Sequence, residues 1–215
     1  LPTVVLTPRY QSEWEIHEVS HPTVIYRDGL YHMWYTGRVF PTEITAARCS
    51  IGYAVSKDGI HWKKHPQPVL VPQDPWEKIG VMYPHVLWEE ELGCYRMWYS
   101  GGRITDPDAI GVAVSGDGVL GIGLARSRDG ISQWQRHPSN PVIAGTDGSW
   151  DWRSAGKPSV LKTPKGYQLW YKGCNVRFEE IGIAVHKGFD LGFPETGQEG
   201  ENERGQDNGT GKVNL

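Results

Sequence analysis

The chain has 215 residues, which is enough for one domain with a substantial core. Its formal net charge of −3 gives no electrostatic reason to expect a nucleic acid or an acidic membrane as a partner. It contains no run of about 18 apolar residues and nothing that resembles a signal peptide. We therefore expect a soluble protein whose compartment is unspecified.

Four short strands are predicted in the first part of the chain. Residues 23–26 form the first, closed by a turn at residues 27–29, and residues 31–36 alternate large apolar and polar side chains. A third strand covers residues 51–56, and residues 67–71 form a fourth whose prolines suit a sheet edge. No segment has a helical period, so the pattern favours an all-β fold.

The same pattern recurs twice further along the chain. Each copy has Trp and an acidic residue, then X-Pro-X-Val, then Tyr-X-(Met/Leu)-Trp-Tyr-X-Gly. Trp14, Trp76 and Trp150 open the copies, and the residue before the proline follows each of them by seven positions. Self-similarity with a fixed internal layout indicates a repeat architecture. The repeats lie near 9–72, 73–145 and 146–188, and the polar Gly/Glu/Asn-rich stretch 189–215 is predicted to be disordered.

A second motif, Ile-Gly-X-Ala-X-Ser-X-Asp-Gly, follows the Trp-Tyr strand in the first two copies. The third copy begins this motif but has His186-Lys187-Gly188 where Ser-X-Asp-Gly should stand. Asp58 and Asp129 of this motif are expected to accept backbone N–H bonds in a turn, with a structural role. A near-copy at residues 110–118 is predicted to be an inserted hairpin. The cysteines have no metal-ligand spacing, so Cys49, Cys94 and Cys174 are expected to be buried free thiols.

Four antiparallel strands per repeat are typical of a propeller blade. In such a blade, alternate connections lie at opposite ends. The inner strands would begin at His21, Tyr83 and Lys157, so these three side chains should crowd together near the axis at the loop-rich end. Trp34, Trp98 and Trp170, in the middle of the second strands, are expected to pack one blade on the next.

Taken in order, these motifs resemble those of the five-bladed β-propeller glycosidases, a group that includes arabinanases, β-xylosidases, invertases and β-mannoside phosphorylases. The resemblance covers about residues 1–187. It implies a five-bladed-type propeller of four-stranded antiparallel blades, of which about three are recognisable in this chain. It also implies cleavage of a glycosidic bond in a funnel on the axis. The related hydrolases begin their first inner strand with Asp-Pro, where this chain has His21-Pro22.

Glycosidases use two carboxyl groups on opposite sides of the scissile bond. Glu18 and Glu43 are the catalytic candidates, because a carboxylate that is not repeated breaks the symmetry of the blades, although either could be a solvated surface residue. Glu15, Glu77 and Asp151 recur in register. They are expected either to hold a loop to the blade that follows or to contact a ligand.

Other side chains at the same end are candidates for substrate binding. His21 could bind a hydroxyl or transfer a proton, or it could be a hydrogen-bonded histidine without catalytic duty. Arg38, Arg103 and Lys157 could hold hydroxyls, a carboxylate or phosphate, or be surface cations. Tyr83 and His85 share the face of the second inner strand. Trp14, Trp76 and Trp150 could stack on a sugar ring.

The leading functional prediction is a glycoside hydrolase or glycoside phosphorylase that acts on an oligosaccharide, with phosphate as a candidate co-substrate and no cofactor. Calcium fills the axial channel of some related enzymes, but no motif here supplies ligands for it. The alternative is a non-catalytic carbohydrate-binding or truncated, inactive propeller, and a protein-interaction role comes third. An incomplete ring would also allow self-association.

Overall fold

The computed structural model describes residues 2–40, 48–103, 119–175 and 177–194. These residues form three groups of antiparallel strands, and only two short 3-10 turns, Pro75–Glu77 and Glu90–Leu92, interrupt the β structure that they contain. No helix in these ranges has the length and apolarity needed to cross a bilayer. The first group is β1 (Glu18–Arg27), β2 (Leu30–Val39), β3 (Arg48–Ser56) and β4 (Trp62–Lys64). The second is β5 (Gly80–Glu89), β6 (Cys94–Arg103), β7 (Val119–Ser127), β8 (Gln135–Arg136) and β9 (Ile143–Ala144). The third is β10 (Ser154–Thr163), β11 (Gly166–Cys174) and β12 (Glu179–Lys187).

Each group is one blade of antiparallel neighbours in chain order, so the predicted all-β propeller-type fold is confirmed. The first and second blades meet through a single parallel bridge between Cys49 and Gly80. The third blade is a separate sheet. Cys49, Cys94 and Cys174 are buried free thiols, as the sequence predicted.

The outer edge of the first blade differs from the prediction. Residues 62–64, rather than 67–71, form β4, and Leu70 makes only an isolated bridge to Ile51. The second blade likewise divides its outer edge between β8 and β9. Prolines explain the division, because Pro66 and Pro68 have no N–H to donate to a continuous ladder.

Tryptophans in the second strands join successive blades, as predicted. Trp34 is fully buried against Val86 and Tyr95 of the second blade, and its indole N–H donates to the carbonyl of Gly130 at 2.7 Å. Trp98 packs in the same way against Val160 and Tyr167 of the third blade. Each of these blades therefore buries its Trp face on its successor.

The third blade leaves its corresponding face open. Trp170 is only half-buried, and on the neighbouring strand Ile181 and Ile183 are 82% and 52% exposed. Ile183 pairs directly with Trp170, and Ile181 and Val185 alternate with it on the same side of the sheet. Tyr167 and Leu169 lie on the opposite side, where they pack on the second blade.

The first residues of the predicted disordered tail belong to the folded part of the chain. Phe189 lies against Tyr167, and Phe193 contacts His137 with ring centroids 5.1 Å apart. The carbonyl of Pro194 accepts a 2.6 Å hydrogen bond from Arg126. The boundary predicted at residue 189 was thus placed too early, because the apolar side chains in 189–194 pack back on the second blade. Residues 195–215 lie outside the described ranges.

Candidate functional site

All three inner strands break their pairing at the same point. The register shifts between Ser20 and Thr23, and at the equivalent steps of β5 and β10. At each break one residue with a side chain takes a left-handed backbone conformation: His21, Tyr83 and Lys157 have φ of 50°, 55° and 54°. Such bulges turn a side chain away from the direction that regular alternation would give it.

Hydroxyl groups of the preceding blade hold two of these bulges. The backbone N–H of Tyr83 donates to Thr36 Oγ1 at 2.9 Å, and that of Lys157 donates to Ser100 Oγ at 2.8 Å. Thr36 and Ser100 occupy the same position in β2 and β6, directly before the glycine of the Trp-Tyr-X-Gly motif. Contacts between blades therefore fix the strained backbone at Tyr83 and Lys157.

The structure brings the three bulge residues together, as the repeat predicted. The rings of His21 and Tyr83 meet edge to face with centroids 4.4 Å apart. The ammonium group of Lys157 lies 5.2 Å from the centroid of the Tyr83 ring, within the range of a cation–π contact. The side chains of three successive inner strands thus converge on one small region.

Arg38 links this region to the predicted catalytic residue Glu18. Its guanidinium lies 3.3 Å from a Glu18 carboxylate oxygen and donates to the Tyr83 hydroxyl at 3.3 Å. A third bond runs from Arg38 Nε to Cys49 Sγ at 3.3 Å, and burial raises the pKa of the Cys49 thiol. We call the set Glu18, His21, Arg38, Tyr83 and Lys157 the polar cluster.

Ser20 completes the contacts of the polar cluster. Its hydroxyl donates to Glu18 Oε1, and its oxygen lies 2.9 Å from His21 Nδ1. Partial burial lowers the pKa of His21, and the positive charge of Lys157 lowers it further. His21 is therefore a neutral ring at neutral pH.

Apart from the three tryptophans Trp14, Trp76 and Trp150, three predicted site residues lie outside the polar cluster or outside the described part. Glu43 is in residues 41–47, which the described ranges omit, and the side chain of Arg103 at the end of β6 is likewise not described. His85 lies beside the backbone of Val160 on the next inner strand, and burial lowers its pKa. Nowhere in the described ranges do three or more His, Cys, Asp or Glu side chains group as metal ligands would.

The acidic residues that recur in register hold their loops. Glu15, Glu77 and Asp151 are buried, and they accept hydrogen bonds of 2.9, 2.7 and 2.8 Å from the hydroxyls of Tyr35, Tyr99 and Tyr171. Each tyrosine belongs to the blade that follows the loop. Of the two roles left open by the sequence, these contacts support loop attachment.

The tryptophans beside these acids pack on glycines of the same blades. A Cβ atom added to Gly101 would lie 2.2 Å from the ring of Trp76, and the equivalent glycines at 37 and 173 meet Trp14 and Trp150 as closely. Trp76 also stacks on Tyr99 with centroids 5.8 Å apart. All three indoles are half-buried. Packing accounts for their recurrence, and sugar stacking by them stays a prediction.

The Ser-X-Asp-Gly turns lie at the opposite end of the blades. In the β2–β3 pair, Arg38 faces Cys49 at one end, whereas Tyr31 faces Ser56 at the other. Oδ1 of Asp129 accepts the backbone N–H groups of Ile131 and Ser132 at 2.9 and 2.8 Å, and Asp58 makes the same pair of bonds. These contacts fit the structural role that the sequence predicted.

The sequence analysis did not predict several residues that shape the polar cluster. Thr36 and Ser100 fill the variable position of Trp-Tyr-X-Gly, and a hydroxyl there in two copies was an available signal. Ser20 and Cys49 carry no repeated signal, since their roles arise only when β1, β2 and β3 pair.

The fold and the arrangement of its motifs define a propeller similar to those of glycosidases and glycoside phosphorylases. No protein-family model matches the chain. It is 35% identical to β-1,2-mannobiose phosphorylase of Thermoanaerobacter sp. (strain X514) over 105 residues, which are 45% of this chain and 34% of that protein. It is 32% identical to 1,2-β-oligomannan phosphorylase of the same organism over 115 residues, 52% of this chain and 38% of the relative.

A solved structure supports the same fold. A family 117 glycoside hydrolase from the marine bacterium Zobellia galactanivorans matches with a TM-score of 0.60 at 19% identity, over 77% of this chain and 52% of that one. The chain thus spans between a third and about half of the length of these three proteins. The predicted resemblance to propeller glycosidases is confirmed.

Proposed function

We propose that the chain carries part or all of a site that cleaves a glycosidic bond of an oligosaccharide, with the polar cluster as its centre. The observation that carries the proposal is the convergence of His21, Tyr83 and Lys157 beside the Glu18–Arg38 pair. Three inner strands contribute to one polar region at the end of the blades away from the structural Ser-X-Asp-Gly turns. Such loop-bearing ends are where scaffolds of this kind hold ligands.

The roles follow from the contacts. Glu18, held by Arg38 and half-buried, is the proton-transferring carboxyl of this part of the site. Tyr83 is buried, and with its hydroxyl bonded to Arg38 it forms the base against which His21 and Lys157 rest. The neutral ring of His21 offers hydrogen bonding to a sugar hydroxyl without adding charge.

Charge in the polar cluster favours phosphorolysis over hydrolysis. Arg38 and Lys157 supply two positive charges against the single negative charge of Glu18, which leaves a surplus suited to an anion. Phosphate is the anion used by the two matching phosphorylases, whose names also state their β-1,2-mannoside substrates. We therefore infer that β-1,2-linked mannooligosaccharides with inorganic phosphate are the first reactants to test.

A non-catalytic carbohydrate-binding propeller is the second candidate. The observation in its favour is the absence of a carboxylate at the bulges of the three inner strands, which carry His21, Tyr83 and Lys157. Related hydrolases have an aspartate at the start of the first inner strand, where this chain has His21. A site with one carboxyl group in reach would bind the sugar and leave the bond intact.

The test is to incubate the full chain with β-1,2-mannobiose, with and without phosphate, and to measure mannose 1-phosphate and free mannose. Glu18→Gln should lower turnover by about 100-fold or more, because a positioned acid or base contributes about that much. Glu91→Gln is the matched control, since Glu91 is 73% exposed and pairs with Lys162 on the third blade's inner strand. Calorimetric binding without turnover would favour the second candidate. If the protein neither binds nor cleaves any of the oligosaccharides tried, both candidates are refuted.

A further inference from the structure

The hydroxyl of Ser20 lies between an acid and a base. It is bonded to Glu18 Oε1 on one side and to His21 Nδ1, at 2.9 Å, on the other. A hydroxyl has one hydrogen to donate, and an ionised carboxylate can only accept. Glu18 also pairs with Arg38, as an ionised carboxylate does. The Ser20 hydrogen therefore points to Glu18, and toward His21 the Ser20 oxygen can only accept.

This direction fixes the hydrogen on the imidazole ring. For the contact with Ser20 to be a hydrogen bond, Nδ1 of His21 must carry a hydrogen. A neutral ring has one N–H, so Nε2 then holds an unshared electron pair. His21 is exposed, and within the described ranges no side chain or backbone group bonds to Nε2.

Partial burial, and after it the nearby positive charges, keep the His21 ring in this neutral form by lowering its pKa. Lys157 and Arg38 disfavour a second proton on the ring, and Glu18 alone favours it. The Tyr83 ring meets the His21 ring edge to face. The acceptor at Nε2 is therefore available at neutral pH.

The arrangement is confined to the first blade. The residues equivalent to Glu18 and Ser20 are Gly80 and Met82 in the second blade, and Ser154 and Gly156 in the third. All three blades nevertheless build the same bulge. The backbone therefore has no need of a serine at position 20, and the Glu18–Ser20–His21 chain of hydrogen bonds points to a task at the site.

We propose that Ser20 is a positioning residue: it holds His21 as the Nδ1–H tautomer, so that Nε2 accepts a hydrogen bond from a sugar hydroxyl bound in the polar cluster. That the bound hydroxyl belongs to a sugar rests on the proposed function. The tautomer itself does not, because it follows from the contacts of Glu18, Ser20 and His21. Removing the Ser20 hydroxyl releases the ring to its intrinsic preference, which in free imidazole side chains is the Nε2–H form.

The test is a long-range ¹H–¹⁵N correlation spectrum of the full chain labelled at histidine. In the unaltered protein His21 should show an unprotonated Nε2 and a protonated Nδ1. Ser20→Ala should shift the populations toward the Nε2–H tautomer, and Ser20→Thr should restore the original pattern because it keeps the hydroxyl. His61, whose Nδ1 lies 2.7 Å from Asp58, serves as the internal control, and exposed Ser139→Ala is the matched serine control.

A His21 that is mainly Nε2–H in the unaltered protein, or that keeps its tautomer in Ser20→Ala, overturns the proposal. The second readout is the affinity for β-1,2-mannobiose, which Ser20→Ala should weaken about tenfold and Ser20→Thr should largely restore, about the effect of losing one hydrogen bond. A protein that has the expected tautomer but binds no sugar would refute the proposed function and leave the role of Ser20 in the tautomer standing. Sugar binding that Ser20→Ala leaves unchanged would refute the link between the tautomer and the ligand.

Discussion

Glu77 gives the sharpest test of how the loops are held to their blades. Its carboxylate is fully buried and accepts bonds from the Tyr99 hydroxyl at 2.7 Å and from the backbone N–H of Gln73 at 2.8 Å. Arg136 adds two bonds of 3.0 Å from the other side. Burial and the charge of Glu77 raise the pKa of Tyr99, so its hydroxyl stays protonated and donates. Replacing Glu77 by Ala removes the common acceptor of all these donors.

The expected cost is large because Arg136 loses its buried partner. Arg136 is only 14% exposed, and removing one member of a buried ion pair typically destabilises a protein by about 3–5 kcal/mol. For a chain of this length, 1 kcal/mol corresponds to about 2–4 °C in the melting temperature. Glu77→Ala should therefore lower the midpoint by roughly 6–20 °C.

The assay is urea unfolding followed by tryptophan fluorescence, with a thermal melt by circular dichroism. Glu91→Ala is the control, because Glu91 also makes a 2.8 Å ion pair, with Lys162, but is 73% exposed. An exposed pair adds little to stability, so this variant should melt close to the parent and well above Glu77→Ala. If Glu77→Ala is no less stable than Glu91→Ala, the buried carboxylate does not hold its loop, and the role as ligand contact regains its place.

Three further predictions concern other contacts of the blades. Gly101→Ala should destabilise by about 1–3 kcal/mol, because its methyl group would overlap the ring of Trp76; an unchanged unfolding midpoint would contradict the packing described. Trp98→Ala should cost about 3–5 kcal/mol and Trp170→Ala less than half as much, since only Trp98 packs on a following blade; equal losses in parallel denaturation curves would argue against this difference. Hydrogen bonds from Ser132 and backbone N–H groups outweigh burial and lower the pKa of Asp129 to about 2, so its stabilising effect should be complete above about pH 4 and vanish as the pH falls toward 2. Asp129→Asn should thus be less stable than the parent at pH 7 by about 1 kcal/mol, and the two acid-titration curves should converge near pH 2.

The sequence predicted the inner three strands of each blade because their pattern is local and repeated. The X-Pro-X-Val motif located His21, Tyr83 and Lys157, and the repeat alone placed them at equivalent points of neighbouring strands. The outer edge was less predictable. Its prolines marked an edge correctly, but whether such a segment forms one strand or two depends on which N–H groups the neighbouring strand can meet.

The candidate site was predictable only where comparing the three copies of the repeat was informative. Glu18 was chosen because it is not repeated, and the structure places it beside Arg38. The contacts of Ser20 and Cys49 could not be predicted, since they depend on side-chain directions in paired strands and on the bulge that turns His21. The open Trp170 face was also beyond the sequence, because the motif there is the same as in the two buried copies.

The three bulges also bear on how such a site can change. Their φ angles of 50°, 55° and 54° are nearly equal, yet the side chains they carry are an imidazole, a phenol and an ammonium. Where the anchoring bond is seen, it comes from a backbone N–H, which every residue except proline possesses. The anchoring of the bulge therefore does not depend on which side chain the residue carries. A propeller built in this way can exchange one reactive group for another by a single substitution, and new chemistry can arise on it without a new scaffold.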